Sequence, residues 1–485
     1  MVMTRSIAGS LRDSKTARWI VLLIVSFAML TAYLFMEILS PLKTMIQNAY
    51  GWDNAEWGYV VGAQGYLNVF AFMLIFGGII LDKMGIRFTA IASALVMLVG
   101  AAIKYYAVAF IEPSATTNLI FWAPRAQVFW AASGFAIFCV GAETAGITVS
   151  KILVKWFKGK ELALSMGLEM ASARLGSAIA LFGSPRLASQ MNIPSPILIS
   201  AIVILIGLIL FIIYSAMDLK LDKEIGAVKE EQEEEFRISD LKYIIKNPGF
   251  WYIALLCVLF YSAVFPFYKY GPDLMVNKYG VDPSQAGDIP GWLPIGTILL
   301  TPVFGMFYDR KGKGASIMIL GAVLLIGVHI LYYLPSLSEV SVAYIAVIFL
   351  GIAFSLVPSA MWPSVPKIVE ERYLGSAYAL IFYIQNIGLM GIPILVGNVL
   401  DMKNPGVADK IDAAREMYRN NGLKASEISE KIQSMRLSGE LPNFDYTDTW
   451  LIFVGLTIAA LFLAVGLKYT DRKRGYGLEM PNIEK

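Results

Sequence analysis

The sequence predicts an all-α polytopic membrane protein whose transmembrane helices form two six-helix halves. Three observations favour this fold class: an apolar composition, twelve apolar segments of spanning length, and a short polar loop that occurs once in each half. Of the 485 residues, 57% are hydrophobic and only 16% are charged, and the mean hydropathy is +0.62. Soluble domains carry about 25% charged residues, so this is a membrane composition.

A helix needs about 20 apolar residues to cross a bilayer. The twelve segments that meet this length lie near residues 19–40, 57–81, 88–110, 126–149, 161–183, 193–216, 249–271, 285–308, 315–334, 341–362, 374–400 and 448–468. A polar linker, residues 218–248, contains the acidic run KEEQEEEF and separates an N-terminal half (1–217) from a C-terminal half (249–485). Residues 401–447 carry mixed charge with helical periodicity, which predicts a helical insertion outside the membrane.

Charged residues between the segments predict the orientation of the chain. With both termini inside, 26 of the 40 lysines and arginines fall in cytoplasmic segments and six fall at the outer ends. Short cytoplasmic loops carry such an excess, so we expect both termini to be cytoplasmic. The first apolar segment has full spanning length, and we interpret it as a retained helix and not as a signal peptide.

The duplicated loop reads GGIILDKMGIRFT (residues 77–89) in the first half and FGMFYDRKGKGAS (residues 304–316) in the second. Its glycines allow close helix contact and a tight turn, and its aspartate can pair with basic residues to form a latch that breaks. The loop resembles the signature loop of the major facilitator superfamily, which implies two related halves that rock around a central cavity. The residues expected to gate the cavity are Gly78, Asp82, Arg87, Gly305, Asp309 and Arg310.

Two opposite charges lie inside the fourth and fifth segments. Glu143 stands in FCVGAETAGITV and Arg174 in GLEMASARLGSAIALFG. A charge at the bilayer centre costs about 2.5–3.5 kcal/mol, so it normally faces a cavity or a partner. The two antiparallel segments place these charges about 7–8 Å apart in depth. That spacing suits the amine and carboxylate of a small zwitterion, and the alternative is an internal salt bridge between the two helices.

Further polar and aromatic residues are candidates for the same cavity. Glu37 could be a proton site, a substrate contact or a structural residue. If Gly176 is aligned with Gly388, Gln385 and Asn386 correspond to Ala173 and Arg174. Their uncharged polar groups suit hydrogen bonding to a peptide group. Tyr261 and Trp362, with Phe265 and Tyr268, could wall the cavity or simply pack. Lys104 and Lys269 are expected to extend towards the outer surface.

A closer resemblance rests on VKWFKGKELALSMGLEMASARLGS (residues 154–177), together with SAVFPFYKYG, MWPSVPKIV and GSAYALIFYIQNIGL. These stretches resemble the lysosomal dipeptide transporter family within the superfamily. The resemblance implies dipeptide uniport, with Glu143 and Arg174 binding the two termini of the substrate. The first residues carry no acidic dileucine signal and the chain has no Asn-x-Ser/Thr sequon, so we expect residence in the plasma (cell inner) membrane.

Other function classes find little support. The sequence has one histidine and shows no phosphate-binding loop, metal cluster or nucleophile–base motif, so we expect no enzyme activity, no cofactor and no metal site. A net charge of +3 does not indicate nucleic-acid binding. We expect a monomer without an accessory subunit, which contacts the lipid bilayer and a small-molecule substrate. The alternative function is a carrier of small organic anions (carboxylates), with Arg174 as the anion site.

Overall fold

The computed structural model describes residues 11–119, 123–157, 159–225 and 238–482, and 83% of the chain is helical. In these residues the only strand-like feature is an isolated bridge between Thr116 and Arg125. The fold is therefore all-α, as the composition predicts.

The N-terminal half contains eight helices. The first spanning unit joins α1 (Lys15–Glu37) to α2 (Lys43–Tyr50) through a short 3-10 turn at Pro41, where proline interrupts the regular hydrogen bonding. The remaining helices are α3 (Asn54–Gly62), α4 (Tyr66–Phe70), α5 (Met73–Phe110), α6 (Ala126–Phe157), α7 (Leu162–Gln190) and α8 (Ser195–Ile225).

The C-terminal half follows residues 226–237, the central part of the predicted linker, which lie outside the described residues. Before these residues, α8 continues beyond the predicted membrane segment to Ile225. After them, a short helix precedes the next span. Helix α9 (Ile238–Ile245) lies within the predicted linker. The helices that follow are α10 (Pro248–Tyr279), α11 (Trp292–Lys311), α12 (Gly314–Tyr333), α13 (Val340–Ile368), α14 (Leu374–Lys403), α15 (Val407–Asn420), α16 (Ala425–Leu437) and α17 (Thr447–Arg474).

All twelve predicted segments contain helix, and nine helical spans in the described residues are long and apolar enough to cross a membrane. The other three predicted segments deviate for visible reasons. The second is broken between α3 and α5, α7 carries charged residues, and α11 contains prolines and glycines. The second and third segments meet inside α5, where Gly85 (φ 79°, ψ 169°) provides the turn between them. A positive φ of this kind favours glycine.

The two halves pack tightly at one end of the bundle, here called the cap end and defined by α2, α15 and α16. The opposite end, which carries the turns at Gly85 and Gly312, is called the motif end. At the cap end, Lys43 of α2 forms an ion pair of 2.6 Å with Asp273 of α10, and both side chains are fully buried. Removal of one partner from such a pair leaves an uncompensated charge and costs about 3–5 kcal/mol. The pair therefore holds the halves together at this end.

Close helix packing supports this closure. Asp401 of α14 accepts hydrogen bonds from the Asn54 amide (2.7 Å) and from the backbone of Ala55 (2.7 Å), both in α3. A Cβ atom at Gly397 would lie 2.1 Å from the backbone oxygen of Asn54, so only glycine allows the two helices to approach this closely. The cap end is thus sealed by charge, hydrogen bonds and close backbone contact.

The insertion formed by α15 and α16 bridges the two halves. It belongs to the C-terminal half in sequence, yet two of its arginines reach Asn48 on α2. Arg415 donates to the Asn48 backbone oxygen (3.1 Å), and Arg436 donates to the Asn48 side-chain oxygen (3.3 Å) and to Asn277 of α10. Both arginines are buried, with 4% and 2% exposure. The predicted helical insertion is therefore a strap over the cap end.

We expect Arg436→Met to loosen the cap end, because it removes charge-assisted hydrogen bonds on both halves, each worth about 1.5–3 kcal/mol. A loss of about 1.4 kcal/mol in the free energy that keeps the cap end closed raises the open population about tenfold. The rate at which an aqueous maleimide labels a Thr44→Cys reporter should therefore rise about tenfold. Native Cys139 and Cys257 are replaced beforehand. The matched control is Arg419→Met, since among the described residues the Arg419 side chain pairs only with Glu416 on its own helix. Equal labelling rates in both variants would contradict the strap.

Candidate functional site

Glu143 lies on α6 and Arg174 lies on α7, and both side chains are half-buried. They form no ion pair with each other or with any other described residue, and no described group donates a hydrogen bond to Glu143. The internal salt bridge, one of the two alternatives that the sequence leaves open, is therefore absent from this conformation. Two opposite charges that are half-buried and unpaired at membrane depth can each receive a charged group from a ligand.

Tyr33 of α1 lies close to both charges. Its hydroxyl is within electrostatic range of Arg174, Glu143 and Glu169. A third carboxylate, Glu169 of α7, therefore faces the same region. A single tyrosine in an apolar helix gives no distinctive pattern, so the sequence does not distinguish Tyr33 as a site residue.

An aromatic cluster from the C-terminal half faces Arg174. The guanidinium carbon lies 5.0 Å from the ring centroid of Phe354 on α13, within the range of a cation–π interaction. Phe354 in turn meets Tyr261 and Phe265 of α10 edge-on, at centroid distances of 5.9 and 5.6 Å. Arg174 therefore stands against the opposite half of the molecule, and Phe354 is a site residue that the sequence did not distinguish from packing.

Tyr261 and Trp362, both predicted from sequence, belong to this cluster. The indole nitrogen of Trp362 donates to the Tyr261 hydroxyl at 3.0 Å. The buried hydroxyl of Tyr268, two turns along α10, lies beside the Arg174 side chain. The cluster thus places a tyrosine hydroxyl as well as aromatic faces next to Arg174.

Gln385 and Asn386 of α14 are buried, with 8% and 6% exposure. Gln385 accepts a hydrogen bond of 3.5 Å from the Cys257 thiol, and Cys257 lies one turn before Tyr261 on α10. Asn386 donates to the backbone oxygen of Phe382 at 3.0 Å, within its own helix. Gln385 therefore adjoins the aromatic cluster, whereas the Asn386 amide nitrogen is engaged locally.

Glu37 of α1 is engaged across the two halves. Its carboxylate accepts from the Lys269 ammonium of α10 at 2.7 Å and from the Ser40 hydroxyl at 2.6 Å. Both charged side chains are buried. The expectation that Lys269 and Lys104 extend to the outer surface is wrong, because both are at most 4% exposed and Lys269 has a carboxylate to neutralise it in the interior.

The first duplicated loop is held within the N-terminal half. Asp82 forms an ion pair with Lys151 of α6, and Arg87 pairs with Asp218 (3.1 Å) and Asp222 (2.5 Å) of α8. The predicted latch partners are thus basic and acidic groups on neighbouring helices. A Cβ atom at Gly78 would meet nothing within 4 Å, so the expected close helix contact does not occur there in this conformation.

The second loop is held within the C-terminal half. Asp309 accepts a hydrogen bond of 2.8 Å from the Asn482 side chain, while Arg310 is exposed. Gly312 has a positive φ of 69° and provides the turn, whereas a Cβ atom at Gly305 would meet open space. None of the described contacts of either loop crosses to the other half, so the two loops do not tie the motif end shut.

A helical bundle that is sealed at one end and lined with unpaired charges and aromatic rings has the architecture of a membrane transporter. The chain belongs to the Major Facilitator Superfamily, whose family model matches residues 25–393. It is therefore a multi-pass membrane protein of a transporter family, and the superfamily fold predicted from the duplicated loop is confirmed.

Relatives and solved structures agree with this assignment. The chain is 26% identical to the lysosomal dipeptide transporter MFSD1 of Homo sapiens over 80% of each chain. It is 29% identical to the protein of that name from Danio rerio, over 67% of this chain and 69% of the relative. In fold it matches the inward-facing, unoccupied structure of a bacterial homolog of the human lysosomal transporter Spinster, with a TM-score of 0.67, 16% identity, and coverage of 95% and 99% of the two chains.

The contacts of the duplicated loops predict the behaviour of two variants. Asp82→Asn removes the ion pair with Lys151. Asp309→Asn retains a side-chain oxygen that can still accept the hydrogen bond from Asn482. If the aspartates form the latch, both variants should reduce the solute exchange rate, Asp82→Asn more strongly, with expression unchanged. Exchange rates are measured in proteoliposomes after normalisation to protein content. Rates equal to those of the parent in both variants would show that the two aspartates are ordinary surface residues.

Proposed function

We propose that the protein is a uniporter that moves small zwitterionic solutes, most of all dipeptides, across a membrane by alternating access. The observation that carries the proposal is the state of Glu143 and Arg174: opposite charges at membrane depth, half-buried, with no ion pair among the described residues. An uncompensated charge in this setting costs several kcal/mol. A ligand that carries an ammonium and a carboxylate compensates both charges at once.

The chemistry of the two side chains assigns the ends of the ligand. Arginine presents a planar fork that binds a carboxylate through two parallel hydrogen bonds, so the carboxyl terminus of the dipeptide belongs at Arg174. Glutamate gives the ammonium group its counter-charge, so the amino terminus belongs at Glu143. Gln385, with its amide beside the aromatic cluster, and Asn386 would serve the peptide bond.

Contacts of Arg174 with the opposite half support a site between the halves. Arg174 belongs to the N-terminal half, while Phe354, Tyr261 and Trp362 belong to the C-terminal half. A ligand at Arg174 would therefore touch both halves, which is the requirement for a substrate that influences their relative motion. The aromatic faces would accept side chains of varied size, as a carrier of dipeptides requires.

The names of the relatives support this substrate class, because the matched proteins from Homo sapiens and Danio rerio are named dipeptide transporters. We further propose that the chain acts as a monomer without an accessory subunit in the plasma membrane, with the motif end and both termini in the cytoplasm. Imaging of a tagged chain tests this placement. Overlap with a lysosomal marker, the compartment in the relatives' name, would contradict it.

The decisive experiment compares uptake of a labelled dipeptide with uptake of a labelled monocarboxylate into proteoliposomes. We expect saturable dipeptide uptake and no monocarboxylate uptake, with Arg174→Ala and Glu143→Ala each reducing dipeptide uptake at least about tenfold. The reduction follows from the loss of one charge-assisted contact of about 1.5–3 kcal/mol. Size-exclusion profiles check that both variants remain folded.

The matched control is Glu169→Gln, since Glu169 is also a half-buried carboxylate near Tyr33. We expect it to retain at least about half of the uptake. Monocarboxylate uptake that depends on Arg174 but not on Glu143 would replace the proposal with an organic-anion carrier. Misfolded single variants that a Glu143/Arg174 charge exchange restores would show a structural pair, and dipeptide-driven acidification abolished by Glu37→Gln would contradict uniport.

A further inference from the structure

A group of three buried charges lies between the candidate site and the cap end. It consists of Glu37 on α1, Lys104 on α5 and Lys269 on α10, all at most 4% exposed. Lys269 pairs with Glu37 at 2.7 Å. Lys104 forms no hydrogen bond and no ion pair with the described residues. Two buried lysines therefore share the neighbourhood of one carboxylate, and only one of them is paired with it.

Lys104 lies near this pair, with its ammonium against two aromatic rings. Its ammonium lies 3.8 Å from the ring centroid of Phe135 and 5.3 Å from that of Phe35. The Lys269 ammonium lies 5.8 Å from the same Phe135 ring, so both lysines face one aromatic side chain. Lys104 is also within electrostatic range of Glu37 and Lys269. Cation–π contact stabilises the ammonium of Lys104 in the absence of a carboxylate.

These residues come from both halves, so a motion of one half against the other changes the partners of Glu37. Glu37, Lys104 and the two phenylalanines belong to the N-terminal half, whereas Lys269 belongs to the C-terminal half. Alternating access requires the cap end to open, and opening carries Lys269 away from Glu37. Without a new partner, Glu37 would keep an uncompensated charge at membrane depth, which would oppose opening.

We propose that Lys104 is the second partner of Glu37: Glu37 pairs with Lys269 when the cap end is closed and with Lys104 when it is open. Both residues of the new pair belong to the same half, and rotamer changes are fast compared with the motion of domains. Lys104 is thus a positioning residue that keeps Glu37 neutralised in both conformations. The inference rests on the alternating access of the proposed function and not on the identity of the solute.

The test uses opening of the cap end, which can be followed without any substrate. The readout is the maleimide labelling rate of Thr44→Cys in a chain without Cys139 and Cys257. We expect Lys104→Met to slow labelling at least about tenfold, and Lys104→Arg to retain the parent rate within about threefold. Adding Glu37→Gln to Lys104→Met should restore labelling, because the carboxylate that needs a partner is then gone.

The control is Lys278→Met. Lys278 also lies over an aromatic ring, Tyr279 at 5.3 Å, but it donates to backbone oxygens and forms no ion pair with the described residues. We expect its labelling rate to stay within about twofold of the parent. Parent-like labelling in Lys104→Met, or a defect that Glu37→Gln leaves in place, would overturn the exchange of partners. Because labelling needs no solute, a failure to transport dipeptides would contradict the proposed function alone.

Discussion

The cost of an uncompensated charge in a membrane governs this structure. Each buried charge on the transport path must find a partner, a cavity or a ligand. Lys43 finds Asp273 and Glu37 finds Lys269, and in both pairs the partners come from different halves. The contacts that neutralise charge are therefore the same contacts that hold the two halves together at the cap end. Glu143 and Arg174 form no ion pair among the described residues, and the proposed function follows from them.

The two ends of the bundle differ in how they use charge. At the cap end, buried pairs and the strap of α15 and α16 cross between the halves, so opening must break several strong contacts together. At the motif end, Asp82 and Asp309 are satisfied within their own halves, so nothing in the described loops resists separation there. The described ion pairs between the halves therefore favour a conformation that is closed at the cap end.

Much of the fold could be predicted because membrane helices are recognisable in the sequence by their length and apolar composition. The tight turn in the first duplicated loop is also predictable, since the loop carries glycines between two apolar segments. Glu143 and Arg174 were found because charge at depth is rare. In contrast, the pairing of Glu37 with Lys269 joins residues 232 positions apart, and sequence alone does not reveal which lysine pairs with Glu37.

The aromatic contribution was only partly predictable for a related reason. Phe354 and Tyr33 lie in apolar helices where an aromatic residue is ordinary, and their role follows only from their position near Arg174. The strap was predicted as a helical insertion. Its bridging of the two halves depends on the contacts of the Arg415 and Arg436 side chains with Asn48, and the sequence does not reveal these tertiary contacts. A charge at membrane depth is therefore visible in the sequence, whereas the partner it meets depends on tertiary contacts.

The central claim is that the ligand supplies the missing partners of Glu143 and Arg174. Dipeptide affinities measured by calorimetry in a chemical mutant cycle test it most directly. N-acetylation of the dipeptide should weaken binding to the parent at least about tenfold, or about 1.4 kcal/mol, but hardly weaken binding to Glu143→Gln. C-amidation should show the same dependence on Arg174→Met. If acetylation and amidation weaken binding by the same factor in the parent and in the variants, the two charges do not bind the two termini and the account is wrong.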